Sequence, residues 1–411
     1  MKKGSILLVS LLISLLFIQC QTDEIISIPI ENVFTEGEVI TIEDPISSDI
    51  TWTSGNTYIL NELIAVTNNA TLTIEPCVIV KAENGTTGLI IEQGAKLDAQ
   101  GTSGCPIIFT SIKDQIEPGD IVSPNLTETD RGLWSGVFLL GNAPVSSIAS
   151  SNVLSLLPPM QGQFTFGGNT PGDNSGTLRY VSIRHTGYET APAEEPSGLT
   201  LGGVGSGTTI DHIELFANKD DGFLVVGGTV DVNNLLTSGF SDDGVDIDQG
   251  YAGTMNNIIG IGASTNNSSL ELDGGEGPDN PSFTIKNASF KGSEAGENYI
   301  NFQNQVNCRI EHSYFFGFDA DAQVILDDEE DAENWLSELI DVVGLEFNTA
   351  HLTTGNTTIE TIFVDAGANG NNAFLARTPD ANIVSEPTVG ADKSAFAGWT
   401  VAGQTGALDD F

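Results

Sequence analysis

Short apolar runs, each broken by a polar corner or a glycine, recur along most of this chain. They align best between residues 210 and 261. Ile210-Asp211-His212-Ile213 is followed by Val232-Asn233-Asn234-Leu235 and then by Met255-Asn256-Asn257-Ile258, at offsets of 22 and 23 residues. The intervening turn repeats too: Lys219-Asp220-Asp221-Gly222-Phe223 returns as Ser241-Asp242-Asp243-Gly244-Val245. A period of this length marks a solenoid. Runs this short and β-branched are strands, not helix pairs. The pattern predicts an all-β fold, a right-handed parallel β-helix. The register extends back to Leu178–Ile183 and forward to Ile285-Lys286-Asn287-Ala288 and Ile310-Glu311-His312-Ser313. Coils stack about 4.8 Å apart, so some ten of them would form a rod roughly 45 Å long.

Further strands are predicted in Thr57–Val66, Ala70–Ile74, Val78–Val80, Leu89–Ile91, Ile107–Phe109 and Gly132–Leu140. The earliest of them should include an N-terminal cap, because an open solenoid end exposes unpaired backbone groups. Ile112–Arg131 reads as a loop, and Asn142–Gly176 as a long excursion from one face. Asp327–Val343 breaks the pattern. Trp335, Leu336, Leu339, Ile340 and Val343 share one helical face behind a run of acids, which predicts a short helix over about 327–343. Residues 385–411 are expected to form a C-terminal cap.

The first residues change the picture from a free rod to a tethered one. Met1-Lys2-Lys3 precedes an apolar stretch, Ile6–Ile18, too short to span a bilayer comfortably, and this ends at Leu16-Phe17-Ile18-Gln19-Cys20. The pattern resembles a bacterial lipoprotein signal: 1–19 removed, Cys20 lipidated, and 20–49 an acidic tether to the β-helix domain at 50–411. The bulky Gln19 is a departure from the small residue usual there. Gln21-Thr22-Asp23-Glu24 resembles the export signal of lipoproteins displayed on the outer cell surface. Of the other cysteines, Cys77 and Cys105 fall at turns and are either a disulfide stapling the early coils or two separate thiols; Cys308 reads as core.

Charge excludes some functions. With 56 acidic against 14 basic residues, the chain carries a formal net charge of −42. Such a field repels nucleic acid, and repels anionic lipid or polyuronate unless divalent cations bridge them. The acids that the repeat stacks are Asp220, Asp221, Asp242, Asp243, Asp246 and Asp248. Residues 22 apart would lie one coil apart, placing Asp220 near Asp242 and Asp221 near Asp243. Paired carboxylates at this spacing suit a Ca²⁺ site or a glycosidase pair. As an enzyme, the chain would use Asp220, Asp221, Asp242 and Asp243, but a lyase also needs a base, and only Lys219 and Arg184 are candidates. Asp-Gly is also ordinary turn chemistry, with glycine at positive φ. His212 and His312 occupy the corner that Asn234, Asn257 and Asn287 hold in other coils, which reads as a hydrogen-bonded ladder.

Leu72–Pro76, Leu89–Ala95, Pro106–Ser111, Leu133–Pro144, Asp173–Ile183, Asp220–Gly228 and Ser241–Tyr251 resemble a large group of parallel β-helix surface proteins abundant in Bacteroidetes. The resemblance implies fold and an outer-membrane, cell-surface address, with little implied about activity. Where that group tends to have Gly after the early Ile-Glu-Pro, this chain has Cys77. The expectation is a lipid-anchored β-helix that binds or builds, assisted by Ca²⁺, with a polysaccharide or an outer-membrane protein complex as partner. The alternative is a polysaccharide lyase or glycoside hydrolase.

Overall fold

The computed structural model describes residues 37–411, apart from 148–151, 154–163, 191, 193, 264–266, 294–297, 353–356 and 368–371. The signal segment, Cys20 and most of the expected tether lie outside the described residues. No described helix is long and apolar enough to cross a membrane.

Strands in this chain alternate, and the alternation sets what each coil buries. In Thr71–Ile74 and Thr57–Leu60 every second side chain enters one continuous core. Parallel neighbours then stack like on like. Leu178 pairs with Ile210, Ile210 with Val232, Val232 with Met255, Met255 with Ile285 and Ile285 with Ile310. This is the register that the sequence repeat predicts, and the fold is a parallel β-helix.

Three faces surround the core. A first face begins with Ile50–Trp52, Thr71–Ile74 and Lys96–Gln100, and a second with Thr57–Leu60, Ile79–Ala82 and Ile107–Ser111. From Gly176–Arg184 to Phe283–Lys291 single strands run through both, so that Gly176–Arg184 pairs with Lys96–Gln100 at one end and Ile107–Ser111 at the other. The bend falls at one left-handed residue per coil: Tyr180, His212, Asn234, Asn257, Asn287 and His312, with φ between 49° and 63°. Asn tolerates this region better than most residues. The third face is a separate sheet of ten strands, one per coil.

Three segments then cover the outside. The loop at 112–131 places Ile116 against Ile79 and Ile108 on the second face. The excursion after Leu140 lays Phe166 over Phe138 and Leu140 on the third. The tail covers the rest of the second face. It was expected to cap the end, yet it runs back along the flank: the Thr388 amide donates to Glu346, the Ala391 amide to Ser289, the Asp392 amide to Asn257 and the Val401 amide to Glu214. Its Phe396 and Trp399 bury Leu236 and Ile259, two apolar residues that point outward from the solenoid.

Two other boundaries differ from expectation. Val39–Ile42 pairs with Thr57–Leu60, and Ile46 bridges Val66, so the solenoid starts within the stretch expected to be tether. Helix α1 spans only Glu329–Leu336. Trp335 is buried, while Leu336 and Leu339 are exposed. The helical pattern stops there because Ile340–Val343 returns to the ladder against Cys308–Glu311. Short helices α2 (Ile359–Ile362) and α3 (Ala373–Ala376) bring Phe374 against Trp335 and Phe363 at the last coils. A fourth, α4, spans Val401–Thr405 in the tail.

Candidate functional site

The third face changes chemistry along its length. Its outward row runs Ala65, Ile90, Phe138, Thr200, Leu224, Asp246, Glu271, Asn301. The next row contains Val226, Asp248, Asp273 and Gln303. Apolar residues under the excursion thus give way to carboxylates and amides within one coil.

At the edge of this face come the repeated Asp-Asp-Gly turns. Their glycines do not take a positive φ. They are required because successive coils touch there: a Cβ on Gly222 would lie 2.9 Å from the Gly244 carbonyl oxygen, and one on Gly244 would lie 2.7 Å from that of Ser269. Close approach, not turn conformation, fixes them. The residue before each glycine is drawn inward by the same geometry. Asp221 and Asp243 join a buried polar column with Ser135 and Ser197 on earlier coils and Ser268 on the next. Ser197 Oγ donates to Asp221 at 3.1 Å, as does the Asp243 amide.

Two triads of carboxylates result. Oxygens of Asp220, Asp221 and Asp242 lie within 4.8 Å of one another, and so do those of Asp246, Glu271 and Asp273. Of the six acids singled out by the repeat, four therefore fall in the triads. Asp243 stands between them, with Asp221 and Asp242 on one side and Glu271 on the other. Asp248 flanks the second beside Asp273. Glu271 and Asp273 were missed, because the step from Val245 to Leu270 is longer than that from Phe223 to Val245 and the Asp-Asp-Gly text does not recur before it. The alternation of Leu270-Glu271-Leu272-Asp273 was the available signal.

Burial raises the proton affinity of the whole group, and neighbouring carboxylates add to it. Asp220 is pushed up to about 7 by burial and Asp242, and Asp248 to about 7 by burial and Asp273. Glu271 rises to about 7 and Asp273 to about 6. Asp243 rises to about 10, and Asp221 and Asp246 are held far above the usual carboxylate range. Asp243 is 3% exposed, yet its Oδ1 has no hydrogen-bond partner; Asp246 Oδ1 and Asn301 Oδ1 are also buried and unpartnered. Oxygen-only donors, crowded and short of partners, suit a hard divalent cation.

Lys219 and Arg184, the two candidate bases, are both engaged by carboxylates. Lys219 Nζ is bound to Glu189 at 2.7 Å and Glu195 at 2.9 Å, which raises its proton affinity. Arg184 is fully buried under the second face, paired with Glu214. A third cation, Arg131, escaped the sequence reading because it ends an aperiodic loop. Its Nη1 donates to Ser241 Oγ beside Asp242. With Tyr188, Pro192 and Lys219 it lines a groove of about 570 Å³ adjoining the first triad. The Tyr188 ring packs on Gly85, where a Cβ would meet it at 2.2 Å.

Other candidates have structural roles. Asn257 Nδ2 donates to Asn234 Oδ1 at 2.6 Å, and Asn234 approaches His212 at 3.5 Å, so part of the corner ladder is hydrogen-bonded. Cys77 and Cys105 form a disulfide with Cα atoms 4.8 Å apart; Cys308 is a buried thiol. A family model described as a pectate-lyase like beta helix domain matches residues 44–400. No curated protein and no solved structure matches the chain.

Proposed function

The chain belongs to the pectate-lyase-like β-helix family, and from that premise we propose that it is a cation-assisted binding module for polysaccharide, lipid-anchored through Cys20 on the outer-membrane surface. One observation carries the reading: a carboxylate face with two triads, beside which Lys219 is held by Glu189 and Glu195. Ca²⁺ held by Asp220, Asp221 and Asp242 would reverse the local sign of a strongly acidic surface and let it hold an anionic chain. The adjoining groove offers a Tyr188 ring for a sugar face and Arg131 for polar groups. Binding to a polysaccharide panel in Ca²⁺ should be retained, be lost in chelator, and be lost in Asp242→Asn.

Hydrolysis or elimination is the second reading. It is favoured by the family's description and by Asp243, a carboxyl kept protonated beside the ionisable Asp242. Release of reducing or unsaturated ends from the same panel, abolished in Asp243→Asn, would establish it over the first. The anchor has its own check. Cys20→Ala should abolish lipid labelling and membrane retention; unchanged retention would remove the lipid from the proposal.

A further inference from the structure

We infer that the third face holds a second divalent cation, one coil beyond the first, between Asp246, Glu271, Asp273 and Asn301. This rests on the cation reading of the face but concerns a separate set of side chains.

The residues come from three adjacent strands, Val245–Asp248, Ser268–Asp273 and Asn298–Gln303. Asp246 pairs in register with Glu271, and Glu271 with Asn301, so their side chains leave the same side of the sheet in a column. Asp273 stands two residues along from Glu271 on that side, and its carboxylate accepts a hydrogen bond from Asn304 that fixes its orientation. Oxygens of Asp246, Glu271 and Asp273 lie within 4.8 Å of one another. Among the described residues, no arginine or lysine forms an ion pair with any of the three.

Crowding alone would be only an acidic patch. The independent sign of a ligand is the unmet bonding capacity around it. Asp243, only 3% exposed, touches Glu271 and has an unpartnered Oδ1. Asp246 Oδ1 and Asn301 Oδ1 are likewise buried without a partner. A buried acceptor left without a partner is destabilising. Several at one spot, beside three like charges, are offset together by one cation with six to eight oxygen ligands, a number typical of Ca²⁺. The neighbouring coils show the contrast. The same outward column carries Leu224 on one side and Ile325 on the other, so its carboxylate and amide oxygens come in one run of three strands bounded by apolar residues.

Equilibrium dialysis of the mature protein with radioactive Ca²⁺ should give two ions per chain. Glu271→Gln with Asp273→Asn should leave one, and Asp220→Asn with Asp242→Asn should leave the other. A single ion, lost in the second variant and unaffected by the first, would overturn the second site while leaving the first. No bound ion in the wild type would sink both. Should the double variants misfold, anomalous diffraction from wild-type crystals soaked in terbium decides the matter. Two peaks are expected, and one peak confined to Asp220–Asp221–Asp242 would refute the inference.

Discussion

Arg184 and Glu214 belong to no motif, yet they join two of the segments that clothe the solenoid. Arg184 Nη1 donates to the Ile121 carbonyl in the 112–131 loop, and Glu214 Oε1 accepts from the Val401 amide at the start of α4. Ser182 Oγ donates to the same carboxylate at 2.6 Å. Burial lowers the proton affinity of Arg184 below its usual value and raises that of Glu214, each opposed by the other's charge. Removing one member of such a pair strands the other in the interior, at roughly 3–5 kcal/mol. Glu214→Ala should therefore lower unfolding free energy in urea by about that amount, and a double replacement of Arg184 and Glu214 by Met and Leu should recover much of it. A loss below about 1 kcal/mol would mean the pair is solvated. Nothing in the sequence flagged this pair. Both residues occupy outward strand positions, which normally meet water, and only segments distant in the chain bury them. Gly222 was misread for a related reason: its glycine answers to a carbonyl 22 residues away, not to its own turn.

At the scale of elements, the strands were legible and the coverings were not. Alternation and the repeat identify Leu178, Ile210, Val232, Met255, Ile285 and Ile310 as one inward column, because each strand's burial is decided by its neighbour one period away. The tail has no such periodicity. Gly390-Ala391 and Gly398-Trp399-Thr400 look like terminal text, and only the outward Leu236 and Ile259 hint that something must cover them. Likewise α1 shares a helical pattern with Ile340, but ladder pairing with the preceding coil wins. Truncation after Pro387 should uncover the apolar strip, raise binding of a hydrophobic dye and lower the melting temperature. Unchanged dye binding would show that the strap does not protect the face.

The chain as a whole is strongly acidic, and on the solenoid that excess is locally concentrated. Five of the crowded carboxyls, Asp220, Asp243, Asp248, Glu271 and Asp273, have proton affinities of about 6 or higher, against about 4 in an unfolded chain. Between those values the folded protein binds more protons than the unfolded one, so stability falls as pH rises. In chelator the protein should be most stable near pH 4 and lose stability through pH 6 to 8, a trend that urea unfolding across that range can check; a flat or rising profile would contradict it. Added Ca²⁺ competes with those protons and should flatten the loss near pH 7.5. That the face is acidic was readable from Asp220, Asp221, Asp242, Asp243, Asp246 and Asp248; that Glu271, Asp273 and Asn301 join it required the register of two further coils, whose steps are longer and whose turns lack the Asp-Asp-Gly text. The most direct measurement is thermal melting of the mature protein at pH 7.5 in chelator and across a Ca²⁺ titration. A ligand at a hundred times its Kd adds about 2.7 kcal/mol, so the melting temperature should climb with Ca²⁺, and the climb should shrink in Asp242→Asn. Superimposable melting curves for the wild type with and without Ca²⁺ would contradict the account.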